Sequence, residues 1–369
     1  SDEIYFRNPN LRWEEVHSQE IGIEGVAFNT LNFEINYFNK TTKNLMTFVD
    51  NSALGLKSAL LNAGSLRNWG TEISAGWSDN IAAGLNLSVS GNITFLKNKV
   101  LSLSSESAEY ALWGDAYRLN NSTNKTMAGY PVAEFFGYDL IGFYEDEQDV
   151  LNSPTPYGAS SQQIKDNPMA YVGKFKIADH NDDGKITASD RIYYGSPHPD
   201  LIGSINASLT WKNFDFTMFW YSVLGNEIMN TTKVFTDWHM HNGNRSRRII
   251  GTHWKLGADN SNAKLPILDY GDNWTGTIPT QYFLEDGSFL KMKNIVIGYS
   301  FPKSLLKKAT ISNLRLYVQA ENLLTTGLDP EITNRDTGSA GAGTDLTRGV
   351  DTGGWPTTMR FLFGVNFEF

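Results

Sequence analysis

The final ten residues, Arg360-Phe361-Leu362-Phe363-Gly364-Val365-Asn366-Phe367-Glu368-Phe369, put Phe361, Phe363, Val365, Phe367 and Phe369 on one face of a strand. Left bare in water, that stripe would be an aggregation-prone edge. The same period of two recurs upstream. Leu31-Asn32-Phe33-Glu34-Ile35-Asn36-Tyr37 alternates strictly between apolar and polar residues, and from Leu85 to Phe95 the polar positions are Asn86, Ser88, Ser90, Asn92 and Thr94. Leu201–Trp211 repeats the pattern, as do Phe214, Phe216, Met218 and Trp220. Alternation of this kind describes strands between two different surroundings, apolar on one side and polar on the other.

Two architectures satisfy such a code: a soluble β-sandwich with one wet face, or a transmembrane antiparallel β-barrel between lipid and a polar lumen. Aromatics at 13% and charged residues at 19%, below the roughly 25% usual for soluble domains, favour the barrel. So does the terminal stripe, since a barrel faces it to lipid and pairs its edge. Tight turns at Asn29-Thr30, Ser78-Asp79-Asn80 and Lys212-Asn213 alternate with insertions near 41–65, 145–200, 224–288 and 323–357, as expected of a barrel with short turns at one end and long loops at the other. The expected strands, about eleven, lie near 18–28, 31–40, 66–77, 82–97, 112–120, 132–144, 201–211, 214–223, 289–300, 313–322 and 358–369. With no cysteine there is neither a disulfide framework nor a thiolate metal site, and a net charge of -9 argues against nucleic acid. Ser1 opens no signal peptide, so any targeting segment is expected to have been removed or to lie outside this chain.

Four ordered motifs carry a family resemblance. Asn62-Ala63-Gly64-Ser65-Leu66-Arg67-Asn68-Trp69-Gly70-Thr71-Glu72 is similar to an N-x-G-S-x-x-N-x-G-x-E stretch of TonB-dependent barrels. Gly129-Tyr130-Pro131, Phe136-Gly137-Tyr138 and Gly142-Phe143-Tyr144 resemble a family-typical strand. Asp286-Gly287-Ser288-Phe289-Leu290-Lys291-Met292-Lys293-Asn294-Ile295, then Gly298-Tyr299 and Phe301-Pro302, resembles D-G-S-F-L-R-x-K-N-I. Ala320-Glu321-Asn322-Leu323-Leu324-Thr325 with Asp329-Pro330-Glu331 resembles the penultimate strand and its loop. Together they resemble the SusC/RagA branch of TonB-dependent transporters, and the terminal Phe resembles the C-terminal signal of outer-membrane barrels.

The resemblance implies a roughly 22-stranded barrel with a plugged lumen. It also implies energy from TonB, a SusD-like surface lipoprotein over the mouth, and uptake of an oligosaccharide or peptide. Residues 1–369 are then expected to be the C-terminal half of the barrel, set in outer-membrane lipid. The plug and the remaining N-terminal half lie elsewhere, Asn8-Pro9-Asn10 and the long loops are extracellular, and the C-terminus is periplasmic. The rival reading is a soluble calcium-dependent carbohydrate-binding or hydrolase β-sandwich.

Asp179-His180-Asn181-Asp182-Asp183-Gly184-Lys185-Ile186-Thr187-Ala188-Ser189-Asp190 fits the twelve-residue calcium pattern D-x-N-x-D-G-x-I-x-x-x-D. Asp179, Asn181, Asp183 and Asp190 offer side-chain oxygens, Lys185 its carbonyl, and Gly184 the sharp turn. Asp190 stands where EF-hands usually carry Glu, so a weaker Ca²⁺ site is expected, with a structural role. The alternative is a metal-free acidic turn. The six histidines, including His239, His241 and His253, make no ligand set. No G-x-S-x-G elbow or phosphate loop occurs, and Glu14-Glu15 reads as solvated charge, so no catalytic group is expected. Trp113, Trp238, Trp254, Tyr270, Trp274 and Trp355 are candidates either for stacking on substrate or for loop packing.

Overall fold

The computed structural model describes residues 11–51, 56–103, 111–114, 116, 118–238, 243–269, 277–307, 311–327, 345–354 and 357–369. Among these, nine strands form one antiparallel sheet in chain order: Glu15–Ala27, Leu31–Asn51, Leu56–Ala82, Leu85–Leu103, Leu201–Trp211, Phe214–Leu224, Phe289–Ser300, Asn313–Thr326 and Arg360–Glu368. Register follows the alternation. One face carries the cross-strand row Ile23, Ile35, Ile73, Ile93 and Gly203, and further along Phe216, Ile297, Val318 and Phe363. The other face carries Glu34, Ser74, Asn92 and Ser204 in a row. There the Ser204 hydroxyl donates to Asn92 Oδ1 at 3.1 Å.

No second sheet covers the apolar face among the described residues: Ile21 is 72% exposed, Ile23 67% and Phe363 81%. A soluble sandwich would bury that face, so that reading fails on packing. On the polar face Arg315, on the eighth strand, reaches across the seventh to Asp215 on the sixth, with Arg315 Nε 2.9 Å from Asp215 Oδ1. The bridge needs Gly298 beneath it, because a Cβ there would lie 2.4 Å from Asp215 Oδ1 and 2.5 Å from Arg315 Nη2.

Two of the expected barrel strands are corrected. The segments near 112–120 and 132–144 do not enter the nine-stranded sheet, whose fourth strand pairs directly with Leu201–Trp211. They contribute Ala111–Trp113 and Glu134–Gly137, which with Asn124–Met127 from the chain between them and Ile192–Gly195 form a separate four-stranded sheet. Leu140–Phe143 pairs with Phe175–Ile177. Glu134–Gly137 is buried on both faces, so its apolar run marks an interior strand rather than a lipid-facing one. The expected 41–65 loop is likewise largely strand, since the second and third strands pair as far as Asn51 and Leu56. Register shifts between Thr42 and Met46, with Asn44 at φ 56°, interrupt the period of two there.

Residues 28–30, 83–84, 212–213 and 301–312 connect strands at one end; the three longest connections, 104–200, 225–288 and 327–359, leave from the other, where Asn51 and Leu56 also pair. The long connections fold into a loop layer with its own cores. One comprises Leu119, Phe135, Phe175, Met229, Val234, Trp238, Leu265, Phe283 and Val350. Another packs Tyr144, Val150, Ile164, Val172 and Trp254. The layer is tied to the fourth barrel strand: Val100 N donates to Tyr130 O at 2.9 Å, and Val132 N donates to Asn98 Oδ1 at 2.8 Å.

Candidate functional site

The acidic motif 179–190 lies in this layer. Ile186 is buried with Tyr138, Ile177 and Ile278, which anchors the loop from behind. Its backbone is bridged to a neighbouring segment: Thr155 N donates to Gly184 O and Ile186 N to Thr155 O, both at 2.9 Å. Asp182 at φ 57° and Gly184 at φ 77° make the sharp turn, so glycine at 184 fills a conformational need.

The side chains curl inward. Asp179 Oδ2 accepts from Gly184 N at 2.8 Å, Asn181 Oδ1 from Asp183 N at 3.0 Å, and Asp183 Oδ1 from Lys185 N at 2.9 Å. Asp190 is fully buried, accepting from His180 N at 3.1 Å and from Thr187 N at 2.7 Å. Desolvation acts to raise the Asp179 carboxyl, but donation from Gly184 and Asp183 outweighs it and holds the group below its ordinary range. Asp179 Oδ1 is buried with no hydrogen-bond partner, an unspent acceptor of the type a cation satisfies. Among the described residues, no three His, Cys, Asp or Glu side chains converge into a preformed metal cage. The Ca²⁺ expectation rests on the twelve-residue spacing, the turn and this orphan oxygen, with Asn181, Asp183, the Lys185 carbonyl and Asp190 as the other donors the sequence names.

The candidate stacking residues divide. Trp238 and Trp254 are core residues, 4% and 6% exposed, and Trp238 stacks on Phe283 with centroids 5.5 Å apart. Trp113 remains half-exposed at the edge of the four-stranded sheet and lies 5.6 Å from Phe136. His239, His241, Tyr270, Trp274, Trp355, Asn8-Pro9-Asn10 and Asp329-Pro330-Glu331 lie outside the described residues.

Sequence reading missed two buried charge groups. Lys233 Nζ is 2.8 Å from Glu285 Oε1 and donates to Tyr282 O at 2.7 Å. Beside it Arg248 is 3.1 Å from the fully buried Asp237 carboxylate, which also accepts from the Tyr282 hydroxyl. Burial lowers the Lys233 ammonium and Glu285 opposes that, while burial and Asp237 together raise the Tyr282 hydroxyl, so it stays protonated. In the second group Ser196 sits between two carboxylates, its Oγ donating to Glu134 at 2.7 Å and its N–H to Glu227 at 2.9 Å. Both groups join residues far apart in the chain and carry no local spacing, although the lysine and arginines near 233–248 stand out in an acidic chain.

Comparisons with known proteins agree with this geometry. A family model described as "TonB dependent receptor-like, beta-barrel" matches residues 1–323. TonB-dependent receptor P26 of Formosa agariphila is 28% identical over 368 residues, covering 98% of this chain and 35% of that protein. TonB-dependent receptor SusC of Bacteroides thetaiotaomicron is 26% identical over 379 residues, covering 98% of this chain and 32% of SusC. This chain therefore spans about a third of the length of these relatives. In fold it is similar to a chain of the RagAB peptide transporter, with a TM-score of 0.74 at 21% identity over 97% of this chain and 35% of that one. A two-faced sheet with an uncovered apolar side, long loops gathered at one end, and a family match over most of its length lead to one assignment: this chain is outer-membrane β-barrel wall and belongs to the TonB-dependent receptor-like β-barrel family.

Proposed function

We propose that this chain forms part of the wall and mouth of an outer-membrane importer, taking up an oligosaccharide or peptide without covalent chemistry. The observation that carries the reading is the union of two parts. A nine-stranded sheet has an apolar outer face and a polar inner one, and a folded layer covers the end from which its long connections leave. Large barrels of this class hold a plugged lumen, so net import needs an energy source, which the family resemblance assigns to TonB. A SusD-like lipoprotein would close over the layer, whose end of the sheet is then extracellular and whose short turns are periplasmic. In the loop 179–190, Ca²⁺ would be held by Asp179, Asn181, Asp183, the Lys185 carbonyl and Asp190. It would neutralise their repulsion and order the layer.

The test uses the complete transporter in its own membrane. Deleting residues 226–287 is expected to abolish nutrient uptake and co-purification of the lipoprotein, while the barrel still assembles and keeps its heat-modifiable migration on gels. Uptake and lid association that survive the deletion would rule out the mouth assignment.

A further inference from the structure

Beside the Lys233–Arg248 network lies a cavity of about 530 Å³, within the roughly 300–1,000 Å³ of small-molecule sites. Its walls combine Arg245, Arg247 and Lys255 with the apolar side chains of Ile250 and Leu268. Ile250 is 78% exposed and Leu268 65%, so both present aliphatic surface to an occupant of the cavity. Asp237 also lines the cavity, but its carboxylate is engaged by Arg248 and Tyr282. Arg247 and Lys255 are exposed and have no carboxylate partner among the described residues. The cavity is thus cationic in a chain of net charge -9.

The cation-bearing backbone is held in place. Ser246 Oγ caps the short helical turn Arg247–Ile249 by accepting from Arg248 N at 3.3 Å, and Ser246 N donates to Thr236 O at 2.9 Å. Lys255 N donates to Asn260 Oδ1 at 2.8 Å and Lys255 O accepts from Asn260 Nδ2 at 2.9 Å. Trp254, between His253 and Lys255, is buried and donates its N–H to Leu265 O at 2.9 Å. The held backbone places a guanidinium and an ammonium on the wall of one cavity, and a planar guanidinium matches a carboxylate through two parallel hydrogen bonds. The apolar rim adds a second requirement: the anion must have an aliphatic neighbour.

We propose that this cavity binds a peptide carboxylate flanked by an apolar side chain, which names the nutrient class at this mouth and rests on the import reading above. Sugar acids meet the charge requirement but offer Ile250 and Leu268 hydroxyls instead of methyl groups, which the rim disfavours.

Calorimetric titration of the purified complete transporter tests this with three probes: the tripeptide Leu-Gly-Leu as free acid, the same peptide as its C-terminal amide, and oligogalacturonate. The free acid is expected to bind about ten-fold more tightly than the amide, and Arg247→Glu with Lys255→Glu to erase the difference. Ile250→Ser should weaken both peptides alike. Heat-modifiable migration of each variant establishes that it has folded. Equal affinity for acid and amide, or a difference that survives charge reversal, overturns the proposal. Charge-dependent binding of oligogalacturonate without peptide binding overturns the peptide assignment. Uptake by cells is scored separately. Titration as expected without accumulation leaves the cavity standing and removes the import reading. Accumulation without an acid–amide difference does the reverse.

Discussion

The barrel sheet and the loop layer obey opposite rules for placing charge and apolar surface. In the sheet, each strand separates two different surroundings, so every second residue is apolar: Ile23, Ile35, Ile73 and Ile93 line one face, and Glu34, Ser74 and Asn92 the other. In the layer a strand can have interior on both sides. Glu134–Gly137 is buried throughout, and Lys233 and Asp237 are buried as members of paired networks. Polarity along a strand therefore reports a difference in solvent across it, and falls silent where that difference vanishes.

The largest effect expected of this contrast is in the layer. Phe283 is fully buried and stacks on Trp238, so Phe283→Ala should cost about 3–5 kcal/mol. The loss should stay local: limited proteolysis should open the segments around 145–285 while the barrel keeps its heat-modifiable migration. Loss of the barrel as well would mean that the two regions fold as one unit. Next in size is the outer face. Phe363→Arg places a charge among lipid chains at about 2–4 kcal/mol, whereas Ser204→Arg, on the polar face, should cost much less. Assembled barrel in outer-membrane fractions measures both, and equal yields would invert or abolish the assignment of faces.

The same contrast explains what could be read in advance. Each of the nine barrel strands overlaps an expected strand, from the one near 18–28 to the one near 358–369, and alternation is explicit at 31–37, 85–95, 201–211, 214–220 and 361–369. The segment 132–144 misled because Phe135, Phe136 and Tyr138 make an apolar run that suits a buried loop strand as well as a lipid-facing one. Residues 41–65 hid their strands behind the bulge near Asn44, where the pattern slips. The acidic loop was legible because its twelve positions are contiguous. The Glu134–Ser196–Glu227 cluster and the cationic cavity were not, because tertiary contacts bring their members together across intervening chain.

A third, smaller effect separates the acidic loop from the rest of the layer. If Ca²⁺ occupies 179–190, a concentration about one hundred times its Kd should add about 2.7 kcal/mol against local opening. Protease protection of the 145–200 segment in the complete transporter should therefore rise with calcium and vanish in Asp183→Ala. Identical cleavage in calcium and in chelator would leave the loop as a turn closed by its own N–H donors.

The finest test uses Glu134, a carboxylate of the layer that burial pushes up to about 7. Burial raises Glu134 from 4.5 to about 7, with the Ser196 hydroxyl opposing and Glu227 adding to the rise. Because the folded value lies above the unfolded one, the folded layer holds a proton that the open layer releases between those two values. Its contribution to stability is complete below about pH 4.5 and is lost as pH rises through about 7. One proton corresponds to at most about 1.4 kcal/mol per pH unit. Hydrogen exchange of the backbone around 134–137 and 192–196 should accordingly quicken between pH 5 and 7 beyond the intrinsic chemical rate. Glu134→Gln keeps the shape and the Ser196 contact while removing the titration, so its excess over the intrinsic rate should be flat. The barrel strands, measured in the same sample, should show no such slope in either protein. A slope unchanged in Glu134→Gln would assign the titration to another group.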